Sequence, residues 1–403
     1  MIGDIAPAEW TSEIDPLTGR QLTRLTDGLS NSYALYYFVP SVTPDGRYLV
    51  FHSERSGSVQ LYRLDLGSGE IGQLTDGHTR DAGWAVWCEW HVDGIYNHLS
   101  AIDPISGEVW YFQDDELRAT HVASFANRLV RRLPEGRMPI GQAAFSPDGK
   151  WFAYIHADEK RYRALLADRE ARTKAGTFHW DPDHQTAFRN IIGSVLSVID
   201  TNSGEETVVA ERDYHFHHVL FVDNETLLLN HPKNCAGMWT VRIDGTDERH
   251  LRPADAPGAH GAMINHQVVT GRGIAYESVA YFPQGRETYL GMYDTVRQSF
   301  TESLLPAEGY VHVGFDPAGA FDFVECAGGR HKILTVAGGV GNPLTATVLR
   351  RLSSPAHDDQ RHHAHPFLSA TRDRLYFTDW SERGFSQICA LDVADLVAEA
   401  DQR

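Results

Sequence analysis

The sequence predicts an all-β chain, a seven-bladed β-propeller with a helical insertion near residues 158–190, and three observations predict it. First, a unit of four short strands can be read near the N-terminus: Pro40-Ser41-Val42-Thr43 opens it, Pro44-Asp45-Gly46 turns into Tyr48-Leu49-Val50-Phe51, Gln60-Leu61-Tyr62-Arg63-Leu64-Asp65 follows, and Gly67-Ser68-Gly69 turns into Gln73-Leu74-Thr75. Pro-Asp-Gly and Gly-Ser-Gly are turn signals because glycine reaches positive φ and Asp caps its own turn. Second, the unit recurs about seven times at a period of roughly 40–50 residues, the spacing of propeller blades. Third, a four-stranded sheet of this size buries its faces only against neighbours, so the repeats are expected to form one domain, 1–403.

The copies follow in order. Phe145-Ser146-Pro147-Asp148-Gly149-Lys150 leads into Trp151-Phe152-Ala153-Tyr154, and Ser197-Val198-Ile199-Asp200 with Asn202-Ser203-Gly204 forms its partner half. A half-repeat, Ser100-Ala101-Ile102-Asp103-Pro104, lies between the first two units. Weaker copies open at His218-Val219, His266-Gln267, His312-Val313 and His365-Pro366. From Asp158 to Asn190 the pattern breaks. Its first half, Asp158-Glu159-Lys160-Arg161-Tyr162-Arg163-Ala164-Leu165-Leu166, is helix-forming and of mixed charge, an excursion inside one blade.

The chain has 403 residues, 42% of them hydrophobic, and a formal net charge of -18. That charge repels phosphates and argues against a nucleic-acid partner. No apolar run approaches membrane-spanning length, so no membrane partner is expected. Met1-Ile2-Gly3-Asp4-Ile5-Ala6-Pro7 lacks the basic and apolar regions of a secretory signal. Cys88, Cys235, Cys326 and Cys389 are widely separated and form no CxxC pair, although four scattered cysteines could also pair with one another. A cytoplasmic protein with reduced thiols is expected.

Chemistry concentrates at the C-terminal end, in Gln360-Arg361-His362-His363-Ala364-His365-Pro366. Alternate residues of an extended segment share a side, so His363 and His365 can aim at one point and Gln360 can add a carbonyl oxygen. Neutral imidazole is the commonest nitrogen ligand of transition metals. The competing reading is a solvated His-rich loop. His218, His266 and His312 also open innermost strands, and those strands converge at one mouth of a propeller. A shared site is therefore expected from residues far apart in sequence.

Taken together, the opening Gln21-Leu22-Thr23-Arg24-Leu25-Thr26-Asp27-Gly28, the His-led later blades and the Gln-x-x-His-x-His-Pro element resemble oligogalacturonate lyases, the seven-bladed polysaccharide lyases (family 22) of pectin breakdown. The resemblance implies a divalent metal, most often Mn²⁺, held by His312, Gln360, His363 and His365, with His266 as Brønsted base. It implies an acidic oligosaccharide partner, an oligogalacturonide or related oligouronide. The chemistry is coherent: a uronate C5 proton lies next to a carboxylate, a metal offsets the charge that develops there, and a neutral histidine takes the proton near neutral pH.

The chain also departs from the family pattern. Gly237, in Cys235-Ala236-Gly237-Met238-Trp239, stands where the family has an arginine, and Gln267-Val268 follow the base in place of an acidic residue and an aromatic. Arg189, Arg272 and Arg330 are candidate replacements, and His218 and His231 candidate substrate contacts. His362 is expected to face away from the metal. Trp84, Trp87 and Trp90 suit either sugar stacking or packing between blades. The alternative function is a non-catalytic TolB-like binding or assembly module, which would leave the histidines pointing apart and metal-free. A metal-dependent hydrolase or isomerase would need a positioned water and a carboxylate base.

Overall fold

A computed structural model describes residues 1–79, 93–96, 98–177, 193–216, 218–230, 237–283, 285–305, 311–315, 322–326, 332–337, 344–353 and 360–401. Among the described residues the strands form seven sheets, five of four strands and two of five. The architecture is an all-β β-propeller fold. Six sheets take their main strands from one continuous stretch of chain each, the first also recruiting Ile5–Ala6 against Ile71–Gln73. The remaining sheet is composite: Thr11–Ile14 and Gln21–Arg24 join Phe367–Leu368, Arg374–Trp380 and Ser386–Asp392, with Leu22 opposite Leu391. The repeat that opens at His365-Pro366 falls in the composite sheet. The repeat pattern does not show that Thr11–Ile14 and Gln21–Arg24, from the other end of the chain, complete it.

The predicted turns form as the residues dictate. Asp45 Oδ1 accepts from Thr43 Oγ1 at 2.6 Å and from the Arg47 amide at 3.1 Å. Asp148 repeats this with Ser146 Oγ at 2.6 Å and the Lys150 amide at 3.1 Å. Gly46 and Gly149 complete the two turns at φ 71° and 69°, a region that costs other residues strain.

The chain forms two compact units, residues 1–77, 120–126 and 255–403 in one and 78–119 and 127–254 in the other. In the first unit the composite sheet packs on two sides. Leu375, Phe377, Leu391 and Leu22 meet Ile333 and Leu349. Tyr376, Ile388 and Ala390 meet Phe51, Leu49 and Leu64. Arg350, buried between Asp15 and Asp379 and 2.9 Å from the latter, ties the N-terminal segment to this sheet. Burial alone would raise the Asp15 carboxyl, but hydrogen bonds from Arg350 and Thr18 hold it below the usual range. Thus the first unit fixes the start of the composite sheet, where the His-rich segment lies.

In the second unit the insertion begins as a sixteen-residue helix, Glu159–Lys174, between strands Trp151–Asp158 and Ser194–Asp200. Asp158 caps it by accepting from the Arg161 amide at 2.8 Å. Ion pairs Glu159–Arg163 and Asp168–Arg172, each 2.8 Å, follow the i,i+4 spacing. Tyr162, Leu165 and Leu166 supply its buried side. A second helix, Ala394–Asp401, closes the described chain. No helix among the described residues is long and apolar enough to cross a membrane.

His156 gives this unit a pH dependence. It is 4% exposed, stacks on Tyr154 at 5.4 Å and lies 3.3 Å from Ser197 Oγ. Burial pushes its imidazole down to about 4, against a weaker upward pull from Glu206. Below its ordinary pKa the unfolded chain binds a proton that the folded chain refuses, so stability falls as pH drops from about 6.5 towards 4. The loss attributable to this residue reaches about 3 kcal/mol near pH 4. Denaturant titrations across that window should show the slope, and His156→Gln should flatten it; an unchanged slope in the variant removes His156 as the cause.

Candidate metal centre

The His-rich segment is not a strand. Gln360–His362 forms a single 3₁₀ turn, and Thr378 donates its amide to the Ala364 carbonyl at 2.8 Å, pinning the segment to the composite sheet. His365 adopts φ 41°. This left-handed backbone, rather than simple alternation, brings the His363 and His365 rings to 5.9 Å of one another. His362 turns elsewhere, with Nδ1 2.7 Å from Ser386 Oγ and its ring edge-on to Trp380. Gln360 opens the turn, and its side chain lies outside the described residues.

His312 comes from the neighbouring sheet, on strand Val311–Phe315. Its Nδ1 is 3.4 Å from His363 Nδ1, and its ring centre is 4.6 Å from that of His365. One nitrogen from each of His312, His363 and His365 lies within 4.8 Å of the others, and all three residues are buried. Two nitrogens bound to one ion at about 2.0–2.1 Å in tetrahedral geometry sit roughly 3.4 Å apart. The three imidazoles therefore fit a divalent transition metal, with one or more positions left for other ligands.

His266 stands beside this group. Its ring centre is 4.6 Å from that of His312. Strand Met263–Thr270 carries a bulge between Asn265 and Val268, and His266 within it adopts φ 50°. Non-glycine residues in this region cost about 1–3 kcal/mol and gather at functional sites. Glu277 Oε2, on the adjacent strand Gly273–Phe282, lies 2.6 Å from His266 Nδ1, with both side chains at most 3% exposed.

Tyr36 and Tyr37 wall the cluster. Tyr36 meets His365 edge-on at 5.0 Å, and Tyr37 contacts His312 at 5.1 Å and His266 at 5.5 Å. Tyr37 donates to the Gln267 carbonyl at 3.4 Å. It also borders a cavity of about 300 Å³ with Val268, Gly314 and Phe367, each two residues beyond a site histidine. The three histidine-bearing segments thus face a common space.

Other expected residues fall differently. Arg272 sits on the exposed turn between strands Met263–Thr270 and Gly273–Phe282, its amide donating to Thr270 Oγ1 at 3.1 Å. Thr270-Gly271-Arg272-Gly273 is a hairpin tip, which carries Arg272 along the strand away from His266. His218 is buried in the second unit, just before strand Val219–Phe221. Arg189, His231, Arg330 and the segment 84–90 lie outside the described residues. At Gly237 a Cβ would meet Trp239 Nε1 at 2.2 Å and His250 Nε2 at 2.9 Å, and those two rings stack at 4.1 Å. Any side chain at this position requires that stack to shift.

Sequence reasoning missed Glu277, Tyr36 and Tyr37. The available signals were one carboxylate inside the apolar run Ile274-Ala275-Tyr276-Glu277-Ser278-Val279 and three successive aromatics at Tyr36-Tyr37-Phe38. Elsewhere, Cys389 is a free thiol whose burial pushes it up to about 12, which leaves it unreactive.

No protein-family model matches this chain, and no curated protein matches it. Solved structures do. An oligogalacturonate lyase from Vibrio parahaemolyticus aligns with a TM-score of 0.78 at 18% identity, over 98% of this chain and 100% of the other. An oligogalacturonate lyase in complex with manganese aligns with a TM-score of 0.78 at 19% identity, over 98% and 99%. At this identity the likeness establishes the β-propeller fold.

Proposed function

We propose that this chain is a metal-dependent lyase that cleaves short oligogalacturonides, or related oligouronides, by β-elimination. The seven sheets are read as seven blades of one propeller domain. The observation that carries the proposal is the convergence of His312, His363 and His365 from two sheets, with the buried His266–Glu277 pair 4.6 Å away, ring to ring, from His312. A binding module has no need of such a cluster, and its fold neighbour with manganese supports a metal here.

His312, His363 and His365, with Gln360, would hold the ion. When bound, it would offset the charge of the uronate carboxylate and the charge that develops there during proton loss. His266 Nε2 takes the C5 proton. The C5–H electron pair moves towards the carboxylate as an enolate, then returns to form the C4–C5 double bond. The C4–O bond breaks, its pair leaves on oxygen, and that oxygen is protonated from solvent. Tyr36 and Tyr37 exclude water from one side of the histidines, which strengthens electrostatic interactions within the site. Glycine at position 237, where the family resemblance implies an arginine, supports a glycan preference shifted from unsubstituted digalacturonate.

The test is elemental analysis of purified protein joined to an absorbance assay for unsaturated uronide over a panel of oligouronides. Near-stoichiometric divalent metal and a chelator-sensitive absorbing product are expected. Metal-loaded protein that yields no unsaturated product from any member of the panel overturns the proposal.

A further inference from the structure

We infer that Glu277 is a positioning residue that fixes the tautomer and direction of the His266 ring; this inference rests on the lyase reading above. In a regular antiparallel ladder, cross-strand partners project to the same face and successive residues alternate. Asn265 is the partner of Glu277, so an unbroken strand would put His266 on the opposite face from Glu277. The bulge between Asn265 and Val268 and the φ of 50° at His266 undo that alternation and return the ring to the carboxylate. The strained backbone accompanies the 2.6 Å approach of His266 Nδ1 to Glu277 Oε2.

The pair makes poor sense as a stability device. Glu277 is 1% exposed, and its second oxygen, Oε1, has no hydrogen-bond partner among the described residues. A carboxylate buried this way costs several kcal/mol, and a neutral side chain of like shape is often as stable or more so. Where Glu277 Oε2 accepts at 2.6 Å, the ring proton sits on Nδ1. That leaves the Nε2 lone pair, on the other edge of the ring, able to accept a proton. A carboxylate holding a histidine in one tautomer is the arrangement of hydrolytic triads, where the amide replacement leaves the geometry intact and supplies the wrong tautomer. Here it comes from the neighbouring strand, although the residue after the histidine, Gln267, is neutral.

The deciding measurement is nitrogen NMR on ¹⁵N-histidine-labelled full-length chain, with zinc as a diamagnetic probe metal and His266 assigned by difference with His266→Gln. In the unaltered chain the His266 proton should reside on Nδ1. In Glu277→Gln and Glu277→Ala it should shift towards Nε2, the tautomer free imidazole prefers. A His266 already protonated on Nε2, or shifts unmoved in both variants, overturns the inference. Where the chain cleaves an oligouronide, Glu277→Gln should lower kcat about 10²-fold or more with KM and melting temperature held, and Glu277→Asp should recover part of it. Full kcat in both Glu277→Gln and Glu277→Ala also overturns it. If the unaltered chain cleaves none of the panel, the lyase reading falls while the nitrogen shifts still decide the pair.

Discussion

His266→Gln should fold, keep its metal and lose turnover by about 10²–10⁴ in kcat, the range contributed by a positioned general base. Glutamine is the informative replacement. Its amide can still donate to Glu277, so the buried carboxylate keeps a partner. Alanine removes the base and also strands that carboxylate, and leaving a buried acceptor without its hydrogen bond costs about 1–3 kcal/mol, more where it is charged. His266→Ala should therefore be inactive and less stable, whereas His266→Gln should be inactive at near-normal melting temperature. Measuring kcat, metal content and melting together separates the two effects. Full activity in His266→Gln would end the base assignment. A variant that loses metal along with activity would make His266 a ligand instead, a role its 4.6 Å ring separation from His312 leaves within physical reach.

The parts of this molecule that the sequence makes legible are those written locally. Thr43 to Arg47 and Ser146 to Lys150 form turns with the same hydrogen bonds because each contains its own capping carboxylate and its own positive-φ glycine. The insertion starts at Asp158 because a capping residue there precedes a helical run. The site histidines are visible by their place at the start of repeats. What is hidden depends on distant pairing or on a local irregularity. Leu22 opposite Leu391 joins the chain ends, and no spacing rule connects them. His363 and His365 come together through a 3₁₀ turn and a left-handed residue, so alternation gives the right neighbours for the wrong backbone. Glu277 reaches His266 only across a bulge, and a bulge shifts register without a fixed residue signature. Arg272 was readable as a hairpin tip: Gly-Arg-Gly between two strands is turn chemistry.

The paired variant His363→Ala, His365→Ala should contain almost no divalent metal and show no lyase activity, while His362→Ala should retain both. These three histidines lie within four positions and share composition, so a solvated His-rich loop predicts similar effects for all of them. Direction is what differs. His363 Nδ1 lies 3.4 Å from His312 Nδ1, whereas His362 Nδ1 is taken by Ser386 Oγ at 2.7 Å. Removing His362 costs one hydrogen bond and a ring contact with Trp380, about 1–2 kcal/mol of stability and no ligand. Removing His363 and His365 leaves His312 as the sole remaining imidazole of the cluster. Thermal unfolding supplies a readout independent of substrate. A metal that binds only the folded chain at 100 times its Kd adds about 2.7 kcal/mol. Added metal should raise the melting temperature of the unaltered chain and of His362→Ala, and leave the paired variant unmoved. Wild-type metal content in the paired variant would place the ion elsewhere and separate the cluster from the chemistry proposed for it.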